Sequence, residues 1–313
     1  MLKSARKLKP AVKYAAIPAI LAVAVFLYTY RSRQEGLLFP RSGSASLPQS
    51  VIENRLKNTE EKLARKPGDL KAIVDRGVLY FSMGPEHYAD ALNSFNAAWQ
   101  AGAFDERIFY YSGILYENLS LFDEAQKQYD RFLRHVPGDR EVRLRLARLL
   151  FRVGKWEDSI QQYQEFLQEN DKDITSMINC GLAYRKKAEI ILQPGKKLTA
   201  EQKNEAQSDI DQSINYLESA VKIDPNLPEG VYLAMADLYF GKGDWEKAVS
   251  ACEFEIQKST QSELLQIMAA SCEKLNRNDK ALEYYMKISR QQPQNAVWAR
   301  KVRALKKLPA KKA

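Results

Sequence analysis

A recurrence of 34 residues constrains this chain more than any other feature. In the frame 106–139, Phe109, Gly113, Tyr116, Phe122, Ala125, Tyr129 and Pro137 set a pattern of small and bulky positions. The next 34 residues repeat it with Ala147, Leu150, Gly154, Trp156, Ser159, Tyr163 and Phe166. Residues 229–261 carry Ala236, Tyr239, Gly243, Trp245, Ala248 and Cys252, and residues 262–295 carry Ala269, Cys272, Ala281, Tyr285, Ile288 and Pro293. Residues 70–105 fit through Gly77, Tyr80, Gly84, Ala91, Phe95 and Ala98, with two extra residues around Pro85. Residues 174–228 fit at both ends, through Cys180, Gly181 and Tyr184, then Ala220 and Pro225. A period of this length marks a fold of stacked units, each burying its apolar face only against its neighbours.

These positions resemble the tetratricopeptide repeat (TPR) family over roughly 70–295, with a half repeat at 50–69. The resemblance implies an all-α solenoid of about six antiparallel helix pairs, stacked into a right-handed superhelix. The residue sizes agree with close helix packing. Gly113, Ala125, Ala147 and Ala248 let helices approach, while Tyr129, Trp156, Tyr163 and Trp245 fill between layers. Asp139, Asp173 and Asp224 fall where a helix start or turn is expected. Such arrays need caps. Residues 50–69 read as an N-terminal capping helix, and 296–313 as a basic C-terminal one with Val297, Trp298, Val302 and Leu305 inward. The basic face of that last helix is a solvated cap or, alternatively, a contact for acidic lipid or an acidic partner.

Charge is distributed unevenly. Residues 1–41 hold eight basic residues and one acid, and residues 296–313 hold seven basic residues and none. The stretch between has 33 basic and 38 acidic residues, so the body is mildly acidic although the chain as a whole is +9. A nucleic-acid binder would carry its basic stripe on the folded body, so no nucleic-acid partner is expected. Tyr14 to Tyr30 contains no charge, and its 17 residues make about 25 Å of helix. With Lys13 snorkelling, the apolar stretch from Ala11 is about enough to span a bilayer, with Tyr14, Tyr28 and Tyr30 at its edges. We read 14–30 as an uncleaved transmembrane helix, because Leu27-Tyr28-Thr29-Tyr30-Arg31 is a poor signal-peptidase site. Five basic residues precede it and three follow, which puts residues 1–13 in the cytoplasm and the body outside. In a bacterium this means an inner-membrane anchor with a periplasmic body. Residues 31–49 are a linker by composition.

One repeat departs from the frame. It carries about 20 extra residues in KKAEIILQPGKKLTAEQKNEAQSDIDQ, lengthening each helix by about two turns. The insertion spans 188–208, and Thr199 with Gln202 forms a capping box. Ala206, Ile210, Ile214, Leu217 and Val221 share one helical face. Ile190, Ile191 and Leu192 fall near the tip, where they either pack on their own hairpin or form a docking site for a partner.

The family resemblance also implies an inner groove lined by the first helix of each repeat. Carried over, the lining positions are Val78, Phe81, Tyr110, Tyr111, Ile114, Leu144, Arg145, Arg148, Phe151, Arg152, Asn179, Leu182, Arg185, Lys186, Leu233, Asp237 and Phe240. Arg145, Arg148 and Arg152 share a helix face. A cationic groove carrying Phe81, Tyr110, Tyr111 and Phe151 suits a peptide bearing carboxylates. The alternative is that these arginines pair with Glu141, Glu165 or other surface acids. Of the two-carboxylate clamp of chaperone-binding members only Asn179, with Arg148 before it, is suggestive, while Leu144, Gly230 and Ala234 stand where the clamp wants polar or basic residues.

Catalytic motifs are lacking: there is no phosphate loop, nucleophile elbow, zinc-binding helix or paired-Cys motif. Cys180, Cys252 and Cys272 occupy core positions, and His87 and His135 lie by turns. The chain is therefore expected to be a non-catalytic scaffold without a cofactor or metal, binding one or more proteins at a membrane. A cytosol-facing targeting receptor on an organelle membrane, or a self-assembling homo-oligomer, are the alternatives.

Overall fold

A computed structural model describes residues 41, 47–259 and 261–307. The expected membrane helix, the residues before it and most of the linker lie outside the described residues, as do residues 308–313. Among the described residues there are 14 α-helices, one short 3-10 helix and no strand, and no helix is long and apolar enough to cross a membrane.

The chain divides into two compact units, up to His135 and from Val136 onward. In the first unit, α1 (Gln49–Arg65) packs on α2 (Leu70–Met83). A 3-10 turn at Pro85–His87 leads to α3 (Tyr88–Gln100), followed by the pair α4 (Glu106–Asn118) and α5 (Phe122–His135). The second unit holds α6 (Arg140–Arg152) with α7 (Trp156–Glu169), then α8 (Ile174–Ile191) with α9 (Ala200–Ile223). It continues with α10 (Val231–Lys242) and α11 (Trp245–Ile256), then α12 (Ser262–Lys274) and α13 (Asn278–Gln291), and ends in α14 (Ala296–Lys306). Within each unit every helix packs on the next, and first helices of neighbouring pairs also touch, as α2 with α4, α6 with α8, and α10 with α12.

The recurrence has a direct physical origin. Six small side chains of the second helices are fully buried, Ala91, Ala125, Ser159, Ala248 and Ala281 in the first turn and Ser213 in the middle of the lengthened α9. Opposite them the first helices place Gly77, Gly113, Ala147 and Gly181. A Cβ on Gly113 would lie 2.4 Å from the Tyr129 ring, and one on Gly77 would lie 2.6 Å from Phe95. These glycines set how closely the paired helices can approach. Where serine replaces alanine, the hydroxyl donates across the pair: Ser159 Oγ to the Ala147 carbonyl at 2.8 Å and Ser213 Oγ to Gly181 at 2.7 Å.

Helix starts recur with the same period. Asp69, Asp105, Asp139 and Asp173 each accept a hydrogen bond from a backbone N–H in the first turn, at 3.0, 3.0, 2.9 and 2.7 Å. Asp224 instead holds the turn after α9, accepting from the Asn226 N–H at 2.8 Å. The first helices of four pairs end in a left-handed residue, at Ser120, Gly154, Gly243 and Asn276. The next N–H then reaches back to the last turn, as from Leu121 to Tyr116 and from Lys155 to Leu150, both at 2.9 Å.

Candidate docking surfaces

In the first unit the structure joins Phe81, Tyr110 and Tyr111 into one aromatic wall. The Tyr111 ring lies 4.7 Å from Phe81, 5.0 Å edge-on from Tyr110 and 5.9 Å stacked from Phe95. Tyr110 continues to Phe132 at 6.0 Å. The expectation that both tyrosines line an open groove is corrected here: Tyr110 is 1% and Tyr111 0% exposed, and only Phe81 is half-exposed. Two adjacent aromatic residues on one helix cannot share a face, and both directions are filled, Tyr111 by Phe81 and Phe95 and Tyr110 by Phe132 and the guanidinium of Arg41. Arg107 at the head of α4 bridges Asp105 at 2.6 Å and Asp75 at 2.7 Å. Burial works against its charge, yet these two carboxylates hold its pKa above the ordinary arginine value.

In the second unit, α6 carries Arg145, Arg148 and Arg152, and α8 carries Asn179, Arg185 and Lys186. Several of these cations already have partners. Arg145 Nε meets Glu141 at 3.1 Å. Arg185 meets Asp237 at 2.8 Å and Glu189 at 3.1 Å, and Lys186 meets Glu189 at 2.7 Å. Glu165 is taken by Arg143 rather than by an arginine of the expected set. Arg148 and Arg152 are exposed, Phe151 is half-buried with its ring 5.0 Å edge-on from Trp156, and Asn179 is half-buried. Burial pushes the Tyr163 hydroxyl up to about 12, against the opposing effects of Arg148 and Asn179.

The extended hairpin is the second candidate. Its helices have 18 and 24 residues, against 12 to 14 in every other pair. Thr199 and Gln202 close the expected capping box. Ile190 and Leu192 are each 44% exposed, while Ile191 is half-buried. Ile190 and Ile191 line an open pocket of about 430 Å³ with Trp156, Glu157, Lys187 and Glu205. At its base Lys187 Nζ lies 2.9 Å from Glu205, 3.2 Å from the buried Asp209 and 3.5 Å from Glu157. Burial lowers the lysine's affinity for its proton, but the carboxylates outweigh it and raise the pKa; burial raises that of Asp209 despite Lys187.

Residues 112–174 match the family model described as tetratricopeptide repeat. Over those residues the chain carries tetratricopeptide repeat sequence. Among solved TPR-like structures, that of Naa15/Naa10 bound to HypK-THB aligns with a TM-score of 0.54 and 17% identity, over 82% of this chain and 37% of that one. The chain thus spans well under half the length of that relative. PilF of Pseudomonas aeruginosa aligns at 0.47 and 15% identity, over 78% of this chain and 98% of that one. A thermophilic TPR protein of Thermus thermophilus aligns at 0.39 and 18%, over 65% and 100%. At these identities the likeness concerns the fold alone. No curated protein matches the chain.

Within the helical array the three cysteines are buried free thiols, with Cys180 and Cys252 pushed up to about 12 by burial. Among the described residues no cluster of His, Cys, Asp and Glu has the makings of a metal site. Sequence reasoning missed the Lys187–Glu205–Asp209 cluster. Its signal was present: Asp209 falls three residues after Ala206 and four before Ser213, on the apolar face of α9.

Proposed function

We propose that this TPR chain is a non-catalytic scaffold, anchored in a bacterial inner membrane by residues 14–30, with its body outside the cytoplasm and protein partners as its ligands. The body then assembles or organises an envelope complex by holding other proteins at the membrane surface. The observation that carries the binding role is the lengthened hairpin, which leaves Ile190 and Leu192 exposed above a pocket of about 430 Å³. Exposed apolar side chains beside such a concavity suit a partner's apolar anchor. Support of a coarser kind comes from the fold, since a chain that shares it comes from a complex, Naa15/Naa10 bound to HypK-THB. The anchor rests on the uncharged stretch Tyr14–Tyr30 and its flanking charge.

Membrane-impermeant protease added to spheroplasts tests the topology. Digestion of the body with the N-terminus protected is the expected result; protection of the whole chain would place the body in the cytosol and favour the receptor alternative. Crosslinking through a photoreactive residue at position 193, an exposed glutamine beside Ile190 and Leu192, tests binding. Defined protein adducts that vanish when Ile190 and Leu192 are both changed to Glu support the scaffold reading, and their persistence in the double variant removes the hairpin from it.

A further inference from the structure

Arg41 stands outside any helix, eight positions before the first residue of α1, yet its guanidinium lies against α4 and α5. Its central carbon is 4.7 Å from the centroid of the Tyr110 ring and 5.4 Å from that of Phe132. Both distances are within cation–π reach. The two rings meet at 52°, so they form a wedge that a flat cation enters.

The wedge is rigid. Tyr110 is braced edge-on by Tyr111, and Phe132 is fully buried. A preformed aromatic slot loses little freedom when it takes a ligand. A guanidinium suits it better than an ammonium, being planar and more weakly hydrated. The flanking sequence, Pro40 before Arg41 and Ser42-Gly43-Ser44 after it, has the composition of a flexible tether.

We propose that the wedge between Tyr110 and Phe132 is an arginine-binding site, filled in cis by Arg41. It fixes the chain to the N-terminal unit at Arg41, eight positions before α1. An arginine presented by another chain would compete for the same slot. This inference does not depend on the scaffold reading, and its test involves no partner.

Limited trypsin digestion of the full-length chain in detergent reads the docking. Cleavage after Arg41, followed by mass spectrometry, is compared with cleavage of the free peptide of residues 36–47. We expect cleavage at least tenfold slower in the folded chain, and equal rates would overturn the proposal. Phe132→Leu removes one π face and keeps apolar bulk. It should bring the rate towards that of the peptide with helix content unchanged; continued protection would overturn the role of the aromatic wall. Should Phe132→Leu lower the helix content, the Arg41→Ala chain decides. Saturation-transfer NMR with the blocked peptide LFPRSGS should give strong transfer to its arginine with Arg41→Ala and weak transfer with the unaltered chain. Equal transfer in the two chains, or to LFPRSGS and LFPQSGS alike, would refute an arginine-binding site.

Discussion

Changing Gly113 to Ala tests whether the 34-residue period is a packing rule. On an exposed helix the substitution is favourable by about 1 kcal/mol, since alanine is the better helix former. At position 113 the new Cβ would meet Tyr129 Cε1 at 2.4 Å and Cδ1 at 2.7 Å. An ordinary carbon contact is about 3.5–4 Å, so the ring and the α4 backbone must separate by roughly 1 Å. Tyr129 has little room to yield, being fully buried with its hydroxyl donating to Glu117 at 2.8 Å. Overpacking of this kind costs about 1–3 kcal/mol, leaving a net loss of up to roughly 2 kcal/mol after the helix gain. That corresponds to a fall in melting temperature of up to about 8 °C. Gly241→Ala is the control, because a Cβ there has no neighbour within 4 Å; it should raise stability by up to about 1 kcal/mol. Circular dichroism melts and urea titrations of both variants give the answer. If Gly113→Ala stabilises as Gly241→Ala does, close approach at this position does not set the repeat. A Gly113→Ala, Tyr129→Leu double variant should recover part of the loss, and strict additivity would also refute the contact.

Three further outcomes follow from individual contacts. Arg107→Ala leaves the carboxylates of Asp75 and Asp105, each within 3 Å of its guanidinium, without their shared cation; a loss of about 3 kcal/mol in urea titration is expected, and a loss below about 1 kcal/mol would place the network among ordinary surface pairs. Glu218 accepts from the Tyr239 hydroxyl at 2.7 Å and meets Lys247 at 3.0 Å, and these partners hold its carboxyl below the ordinary carboxylate value. Its contribution is therefore complete above that ordinary value and is lost as pH falls through the lower, folded-state value. Glu218→Gln should shrink the stability lost between about pH 5 and pH 3, and an unchanged acid limb in pH-dependent melts would contradict this. Changing Ile190 and Leu192 together to Glu should shift stability by less than about 0.5 kcal/mol because both are surface positions, and a larger fall in the melt would mean that they pack on their own hairpin.

The helix pairs were legible in the sequence because one period carries three independent signals. Close-approach residues at Gly113 and Ala147, Asp caps at 139 and 173, and left-handed ends such as Gly154 all recur in the same frame. The groove was less legible for a related reason. In a stacked array a first helix contacts its own partner and both neighbouring pairs, so apolar side chains point in most directions and their spacing no longer marks a single outer face. Tyr110 and Tyr111 are both fully buried although they are adjacent. Arg145 and Arg185 share the groove's predicted positions, yet they meet carboxylates from Glu141 and from Asp237 and Glu189. The pairing with Asp237 needs three dimensions, since Arg185 and Asp237 are on α8 and α10.

The hairpin shows why a break in the period is more informative here than the period itself. A repeat of standard length has neighbours of matching length to cover its apolar faces. The added turns of α8 and α9 extend beyond the length of a 14-residue α7 and a 12-residue α10, so the hairpin must supply inner contacts of its own. Near its base it does: Ala188 and Ala206 are buried, and Lys187 draws Glu205 and Asp209 together across the two helices. One turn further out this internal cover ends, and Ile190 and Leu192 are left exposed. A hairpin lengthened only to support itself would place polar residues there. The charged cluster instead fixes the two helices against each other and leaves Ile190 and Leu192 exposed beyond it, an arrangement that suits a rigid docking element.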